Sequence, residues 1–532
     1  MTAQFAITGT TVRTLDPVCP FADAIAWSDG MVVAIGEADV RRAVDATTEI
    51  IDGGGRTVTP GLVDGHQHLF MGAERARGID LTGVRDLDGF RARVRAGRAA
   101  LRPDAWLLGF GAEYAPFHMV PYHYELLDGA DGPGPMLVWS FDLHSAFVNE
   151  AALRIAGVSG PRQFADASVV VCDERGHPTG ELREWLAMNL VVDAIPPPST
   201  ETLRSWHVDA LSAQNAVGIT GQHLMDGDRT TVRLLAALED DGALTQRVRM
   251  HHFVYASTDD DEIAEIIESS GRSGRMWRAD GAKFMMDGVI DTGTGWLEHP
   301  DALGENTDPL WPDPERYAER VRRLHDGGLC IATHAIGDRA VRNVLDVYAG
   351  LSGGSAGRHR IEHIETAPDP IVARFAPERV TASMQPVAMQ WVEPDGSDPW
   401  SARLDKQRCD HGWRVGDLSA GGATVVLGSD WPVAHFDPRL GFYCARLRRG
   451  PHARDERPVG ATRALTGEET LAGYTINAAR AVGEHEHAGM LRAGFDADLV
   501  MWADDPVTCP PADLLALPVE LTVVAGRIVH RS

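Results

Sequence analysis

The chain has 532 residues, 44% of them hydrophobic and 24% charged, which is ordinary for a globular protein able to bury a large core without covalent staples. Its formal net charge of -26 argues against nucleic acid or an anionic membrane surface as a partner, because phosphate binding concentrates Lys and Arg. No run of eighteen apolar residues occurs, so a helical membrane span is not expected.

Residues 3 to 37 alternate apolar and polar, with a hairpin signal at Asp29-Gly30 between AIAWS and MVVAIG. The N-terminal MTAQFAITGTTV has neither the basic start nor the apolar stretch of a secretory signal. The six cysteines (Cys19, Cys172, Cys330, Cys409, Cys444 and Cys509) are scattered without a C-x-x-C pair. That pattern suits a reducing compartment, and the cytoplasm is the expected location.

From there the chain alternates short apolar strands with helical patterns, the signature of a parallel sheet. Eight strands are expected around Val58–Val63, Ile219–Leu224, Val248–Tyr255, Ala282–Met286, Leu329–Thr333, Arg360–Ile364, Val380–Met384 and Thr424–Leu427. Helices are expected between them, among them Glu201–Val217, Pro314–Asp326, Arg339–Tyr348 and Trp413–Ala420. Eight such units predict a (β/α)8 TIM barrel, an α/β fold. Residues 70 to about 200 are too long for one crossover and are rich in Gly, Pro and aromatics, so they read as an insertion over the barrel mouth. Near the far end, DADLVMW and ELTVVAGRIVH read as short strands, with a turn at Ala525-Gly526. Neither end carries enough strands for a stable sheet. The expected organisation is a composite β-sandwich from 1-58 and 484-532 around a barrel spanning 59-483.

The strand ends carry the chemistry. The first runs into Asp64-Gly65-His66-Gln67-His68, where residues two apart present imidazoles to one point. Lys283 lies on the fourth, His334 ends the fifth, His363 lies on the sixth and the eighth ends at Asp430. Barrel enzymes place their sites at this face. Imidazole and carboxylate suit zinc and similar divalent ions. Singly each residue reads as a structural histidine or a turn former; together they read as a metal site. An ammonium has no lone pair, so Lys283 ligates only after losing a proton or gaining a carboxylate. Burial lowers a lysine's pKa and makes its amine nucleophilic. The alternative is a single-metal site with Lys283 paired to Asp287.

Other motifs read as structure. Gly350-Leu351-Ser352-Gly353-Gly354 matches G-x-S-x-G, but a helix precedes it and a strand comes after, the reverse of a nucleophile elbow. His485-Glu486-His487 reads as a polar loop, and His251 and His252 must point to opposite faces of their strand. Trp296 and Trp431 read equally as walls of an apolar pocket or as core.

The segments TVTPGLVDGHQH, GAKFMMDGVIDTGTG, ATHAIGDRAV, RIEHIE, VLGSDWPV, LAGYTINAARAVG and GFDADLVMWADDP, with SAFVNEAAL and PTGEL in the insertion, carry a resemblance over essentially the whole chain. The sequence is similar to the amidohydrolase superfamily, most closely its amidohydrolase-3 branch of YtcJ-like proteins and N-substituted formamide deformylases. The resemblance implies that His66, His68 and Asp430 hold the more buried metal and His334 and His363 a second. Lys283 would bridge the two as a carboxylated lysine. The cofactor it implies is one or two divalent ions, with Zn2+ expected.

In the expected reaction a metal-activated water cleaves an amide or N-formyl C–N bond in a small, partly apolar molecule. Asp430 would shuttle the proton, and His144, in FDLHSAF, is the candidate oxyanion donor or substrate contact. The alternatives are cyclic amide, lactone or C–C hydrolysis, or isomerisation or decarboxylation on the same site. A catalytically silent scaffold disagrees with six competent ligand types. A homodimer is compatible with the sequence.

Overall fold

The computed structural model describes residues 2–117, 120–164, 168–353 and 357–532. Eight parallel strands form one sheet in the expected order around a barrel. They are β1 (Leu62–Gln67), β2 (Ile219–Gly227), β3 (Arg247–Phe253), β4 (Trp277–Met285), β5 (Cys330–Ala335), β6 (Arg360–His363), β7 (Thr381–Met384) and β8 (Val425–Leu427). Helices cover the outside, so β5, β6, β7 and β8 are buried along their whole length. The helix Pro314–Asp326 shows how the cover is built. Asp313 caps its first amides, Pro314 presets its start, and Tyr317, Val321 and Leu324 face the barrel. Each such side chain contributes roughly 1.5–3 kcal/mol by burial.

The ends of the chain share a second sheet, as expected. Thr57–Pro60 bridges the two contributions, pairing in parallel with Phe5–Arg13 and antiparallel with Leu499–Trp502. Both expected hairpin turns are present, with Asp29 and Gly30, and likewise Ala525 and Gly526, at positive φ. The two turns pack together, and the Trp27 indole N–H donates to Gly526 O at 3.0 Å.

One strand boundary differs from expectation. The apolar run Val58–Val63 is divided: Thr57–Pro60 belongs to the terminal sheet, and the barrel strand begins at Leu62. Gly61 separates them where the backbone passes so close to Thr220 that a Cβ would lie 2.3 Å from its hydroxyl. Apolar periodicity cannot register such a change of sheet, because both halves are buried.

The insertion between β1 and β2 folds around its own six-stranded sheet, formed by Ile79–Asp80, Leu107–Ala112, Met136–Ser140, Ser145–Val148, Val169–Cys172 and Pro178–Arg183. Its Phe141–His144 turn reaches the cavity at the barrel mouth. The Gly350–Gly353 segment lies between a helix and β6, as expected, and Gly354 lies outside the described residues. Among the described residues no helix is long and apolar enough to cross a membrane.

Candidate functional site

β1 and β8 are joined by side-chain chemistry. Asp64 accepts from Ser429 N at 3.0 Å and Ser429 Oγ at 2.5 Å, and Asp430 N donates to His66 O at 2.8 Å. Gly65 permits the approach, since a Cβ there would meet Val426 at 2.2 Å and the Leu427 carbonyl at 2.7 Å. The seam thereby sets His66 and Asp430 side by side.

His66 is fully buried. Its Nδ1 donates to Glu362 Oε2 at 2.6 Å, which orients the ring and directs Nε2 into the cavity. That Nε2 lies 3.3 Å from Asp430 Oδ1 and 3.5 Å from Lys283 Nζ. His68 leaves the end of β1 as the first residue before a short helix, with Nε2 3.1 Å from the same Asp430 oxygen. His66, His363 and Asp430 each bring one ligand atom to within 4.8 Å of one another. The His363 ring is 4.8 Å from His66 and 4.4 Å from His334. The structure thus gathers all six residues of the expected ligand set at one cavity. Two imidazoles and a carboxylate around one point, with a buried lysine beside them, form a donor set that fits a divalent cation.

Backbone conformation is part of this arrangement. His363 has φ 73° and Asp430 φ 61°, in the left-handed region that non-glycine residues seldom adopt. Simple alternation along β6 would put His363 opposite Glu362, yet both serve the centre. The left-handed turn at His363 brings its ring to the cavity.

Burial holds His334 and His363 well below the usual imidazole range, so both stay neutral and keep a lone pair. Burial also brings the Lys283 amine down to about 8. Burial alone would raise the Asp430 carboxyl, but the imidazoles of His66 and His68 hold it well below the carboxylate range. Asp287 does not pair with Lys283; its oxygens accept from the amides of Trp296, Ile336 and Gly337, each at 2.9 Å.

His144 lines the same cavity, its ring 5.7 Å from His334. Burial works against its protonation, but Glu184, 3.0 Å from Nδ1, outweighs it and raises the pKa to about 9. The second donor, Nε2–H, is thereby kept available.

Sequence reasoning overlooked the buried groups behind these side chains. Glu362 joins His66 to Arg360, whose Nε donates to Glu362 Oε1 at 2.5 Å. The guanidinium also binds Gly65 O at 2.6 Å and His223 Nδ1 at 2.7 Å. Asp226, at the end of β2, lies 3.8 Å from His68 Nδ1. The available signal was period two: Arg360 and Glu362 share a face of β6, and two buried opposite charges on one strand require partners. Trp296 and Trp431 are core residues and not cavity walls; Trp296 packs under Arg339 and Trp431 against Phe436. The aromatic lining comes from Phe141, Trp185, Phe253, Trp391, Trp400 and Trp413. His251 and His252 do point apart, to Leu224 O and to Ser269 Oγ, away from the cavity.

Comparison with known proteins places this geometry. YtcJ of Bacillus subtilis (strain 168) is 27% identical over 519 residues, covering 96% of each chain. The N-substituted formamide deformylase of Arthrobacter pascens is 26% identical over 535 residues, covering 97% of this chain and 96% of its own. Among solved structures, an uncharacterized metal-dependent hydrolase from Pyrococcus horikoshii OT3 shares the fold with a TM-score of 0.73 at 22% identity, over 95% of this chain and 99% of its own. The profile of the Amidohydrolase family matches residues 49–530, and the chain therefore belongs to the amidohydrolase family of hydrolases.

Proposed function

We propose that the protein is a metal-dependent hydrolase that cleaves the C–N bond of an amide or N-formyl amine in a small, partly apolar substrate. The observation that carries this reading is the convergence of His66, His68, Lys283, His334, His363 and Asp430 on one cavity at the barrel mouth. The cavity encloses about 990 Å³, its open mouth included, which suits a small molecule. The similarity to a formamide deformylase supports the choice of bond.

His66, His68 and Asp430 would hold one divalent ion, for which zinc suits the ligands, and His334 and His363 a second, with Lys283 between them. Bound there, such an ion supplies Lewis acidity and brings the pKa of water from about 15.7 toward 7. The residues of the chain do the rest. Lys283, depressed to about 8, keeps a fraction of its amine unprotonated near neutrality. That amine adds to the carbon of carbon dioxide and releases a proton, giving an anionic carbamate where an ammonium could not ligate. Asp430 Oδ2, 3.8 Å from His363 and less engaged than Oδ1, accepts the proton of the attacking water and returns it to the leaving nitrogen. His144, held by Glu184, donates from Nε2 to the carbonyl oxygen as negative charge develops.

The test is a screen of N-formyl and N-acyl amines against metal-replete protein in 18O-labelled water. A hydrolase places solvent oxygen in the acid product. Turnover without label, or no turnover of any amide by protein shown to contain metal, overturns the proposal.

A further inference from the structure

The end of the cavity lined by Gln385 and Asp291 has its own chemistry, which the reaction described above does not use. β6 and β7 are register neighbours, with Glu362 opposite Ser383, so Glu365 and Gln385 leave the barrel side by side just beyond them. Gln385 is 3% exposed and lines the cavity, and neither its amide nitrogen nor its oxygen has a hydrogen-bond partner among the described residues. A buried carboxamide with both functions unmet costs roughly 1–3 kcal/mol per group, so it implies an absent partner. Asp291, in the short turn Ile290–Thr292, lines the same cavity; among the described residues its carboxyl receives no hydrogen bond or salt bridge from another side chain, and burial with Asp142 nearby pushes it up to about 7, so a bound cation would favour its ionised form. Neighbouring Asp142 and Asp398 differ, because their oxygens are occupied by Tyr114 and Ser140 and by the amides of Glu393 and Ser401.

The cations nearby are committed elsewhere. Arg403 gives its Nε to the Asp291 main-chain carbonyl and its Nη1 to both Asp301 and Glu305. His144 is held by Glu184. Arg85, at the outer mouth, is shared by Glu393 and Glu113. Around the carboxylates stand aromatic faces: Trp400 and Trp413 with centroids 4.6 Å apart, and Phe141 and Trp391 at 4.7 Å. The outer vestibule continues the pattern, with Asp291, Asp398, Glu393, Asp395 and Glu113 lining it. Free carboxylate, unmet carboxamide oxygen and clustered aromatic faces are the three features that recognise an ammonium group. The acidic vestibule would also steer a cation inward.

We propose that this end of the cavity is an ammonium subsite, so that the substrate is an amide or formamide carrying a protonated amine away from the scissile bond, as in a mono-acylated diamine. The position of the scissile bond rests on the hydrolase reading; the ammonium site itself does not. Asp291, ionised by the ammonium it pairs with, supplies the charge, Gln385 Oε1 accepts one N–H, and the aromatic faces cover the alkyl chain.

The experiment is calorimetric binding of pentylammonium chloride and of 1-pentanol to metal-replete protein. The ammonium is expected to bind at least about ten-fold tighter than the alcohol. Asp291→Asn should bring the ratio to within about three-fold while metal content and pentanol affinity stay unchanged. Gln385→Leu should weaken pentylammonium alone, which covers the case in which the Asp291 variant does not fold. Equal binding of the two probes by the wild type, or a preference that survives both substitutions, overturns the proposal. Neither probe is turned over, so an ammonium preference without hydrolysis of any amide would refute the reaction and leave the subsite standing. Hydrolysis without the preference would do the reverse.

Discussion

Replacing Glu362 by Gln exchanges one carboxylate oxygen for an NH2 and sets two buried donors against each other. In the native protein Glu362 Oε1 accepts from Arg360 Nε at 2.5 Å, and Oε2 accepts from His66 Nδ1 at 2.6 Å. A carboxamide has one oxygen and one NH2, so it can serve only one of them. If the oxygen stays with Arg360, the NH2 faces His66 and drives the imidazole proton to Nε2, the atom that points at Asp430. If the oxygen stays with His66, an NH2 faces a guanidinium that is 1% exposed. Either arrangement leaves the Arg360 charge without its carboxylate, which costs about 3–5 kcal/mol for a buried pair. The retained bonds from Arg360 to Gly65 O, His223 and Ser383 place the expected loss near the lower figure, about 3 kcal/mol. Loss of the group that orients a metal-binding imidazole lowers metal affinity by about 10–100-fold. The assay is chelator competition with metal quantified by mass spectrometry, run beside urea unfolding of the metal-free protein. Metal affinity within about two-fold of wild type would refute the role given to Glu362. A double variant, Arg360→Met with Glu362→Leu, separates the two effects: it should regain stability without regaining metal affinity.

Asp430→Asn should leave the fold intact and lower kcat by about 100-fold or more, since an amide cannot carry the water proton; a change confined to KM would contradict that role. Intact mass under carbon dioxide should show one added carboxylate on the native protein that disappears in Lys283→Ala, whereas an unmodified native chain would favour a single-metal centre. Acid stability should fall with pH through the buried neutral histidines. Burial lowers His359 and His251 to about 3 and His252 to about 4, while the unfolded chain binds those protons near 6.5. The unfolded state therefore takes up more protons below about pH 6.5, and stability is lost as pH falls from there toward 3. His359→Asn should remove about one proton, or about 1.4 kcal/mol per pH unit, from the slope of unfolding free energy between pH 4 and 6; an unchanged slope would refute the assignment.

Much of this architecture is legible from residue types and spacing, because ligands at strand ends are fixed by the period of the barrel. His66, His68, His334 and Asp430 stand out because each closes, or lies just past, an apolar run. The parts that stay hidden are those where a local pattern has two meanings. Val58–Val63 reads as one strand because each sheet buries its half equally, and only the contact at Gly61 separates them. Arg360 and Glu362 pass unnoticed inside a strand identified by apolar character, although their shared face announces an internal ion pair. Spacing alone could not tell Trp296 and Trp431 from cavity walls for a similar reason. The residues that form those walls, Phe141, Trp185, Phe253, Trp391, Trp400 and Trp413, come from the insertion, from β3 and from the segments after β7. Proximity in three dimensions leaves no trace in their spacing.

The joint between β1 and β8 ties together residues 365 positions apart, Asp64 and Ser429. The first imidazoles of the centre thus emerge from the ribosome long before the carboxylate that completes their berth. On the proposed metal-binding reading, the cluster is complete only once β8 closes the barrel and brings Asp430 beside His66.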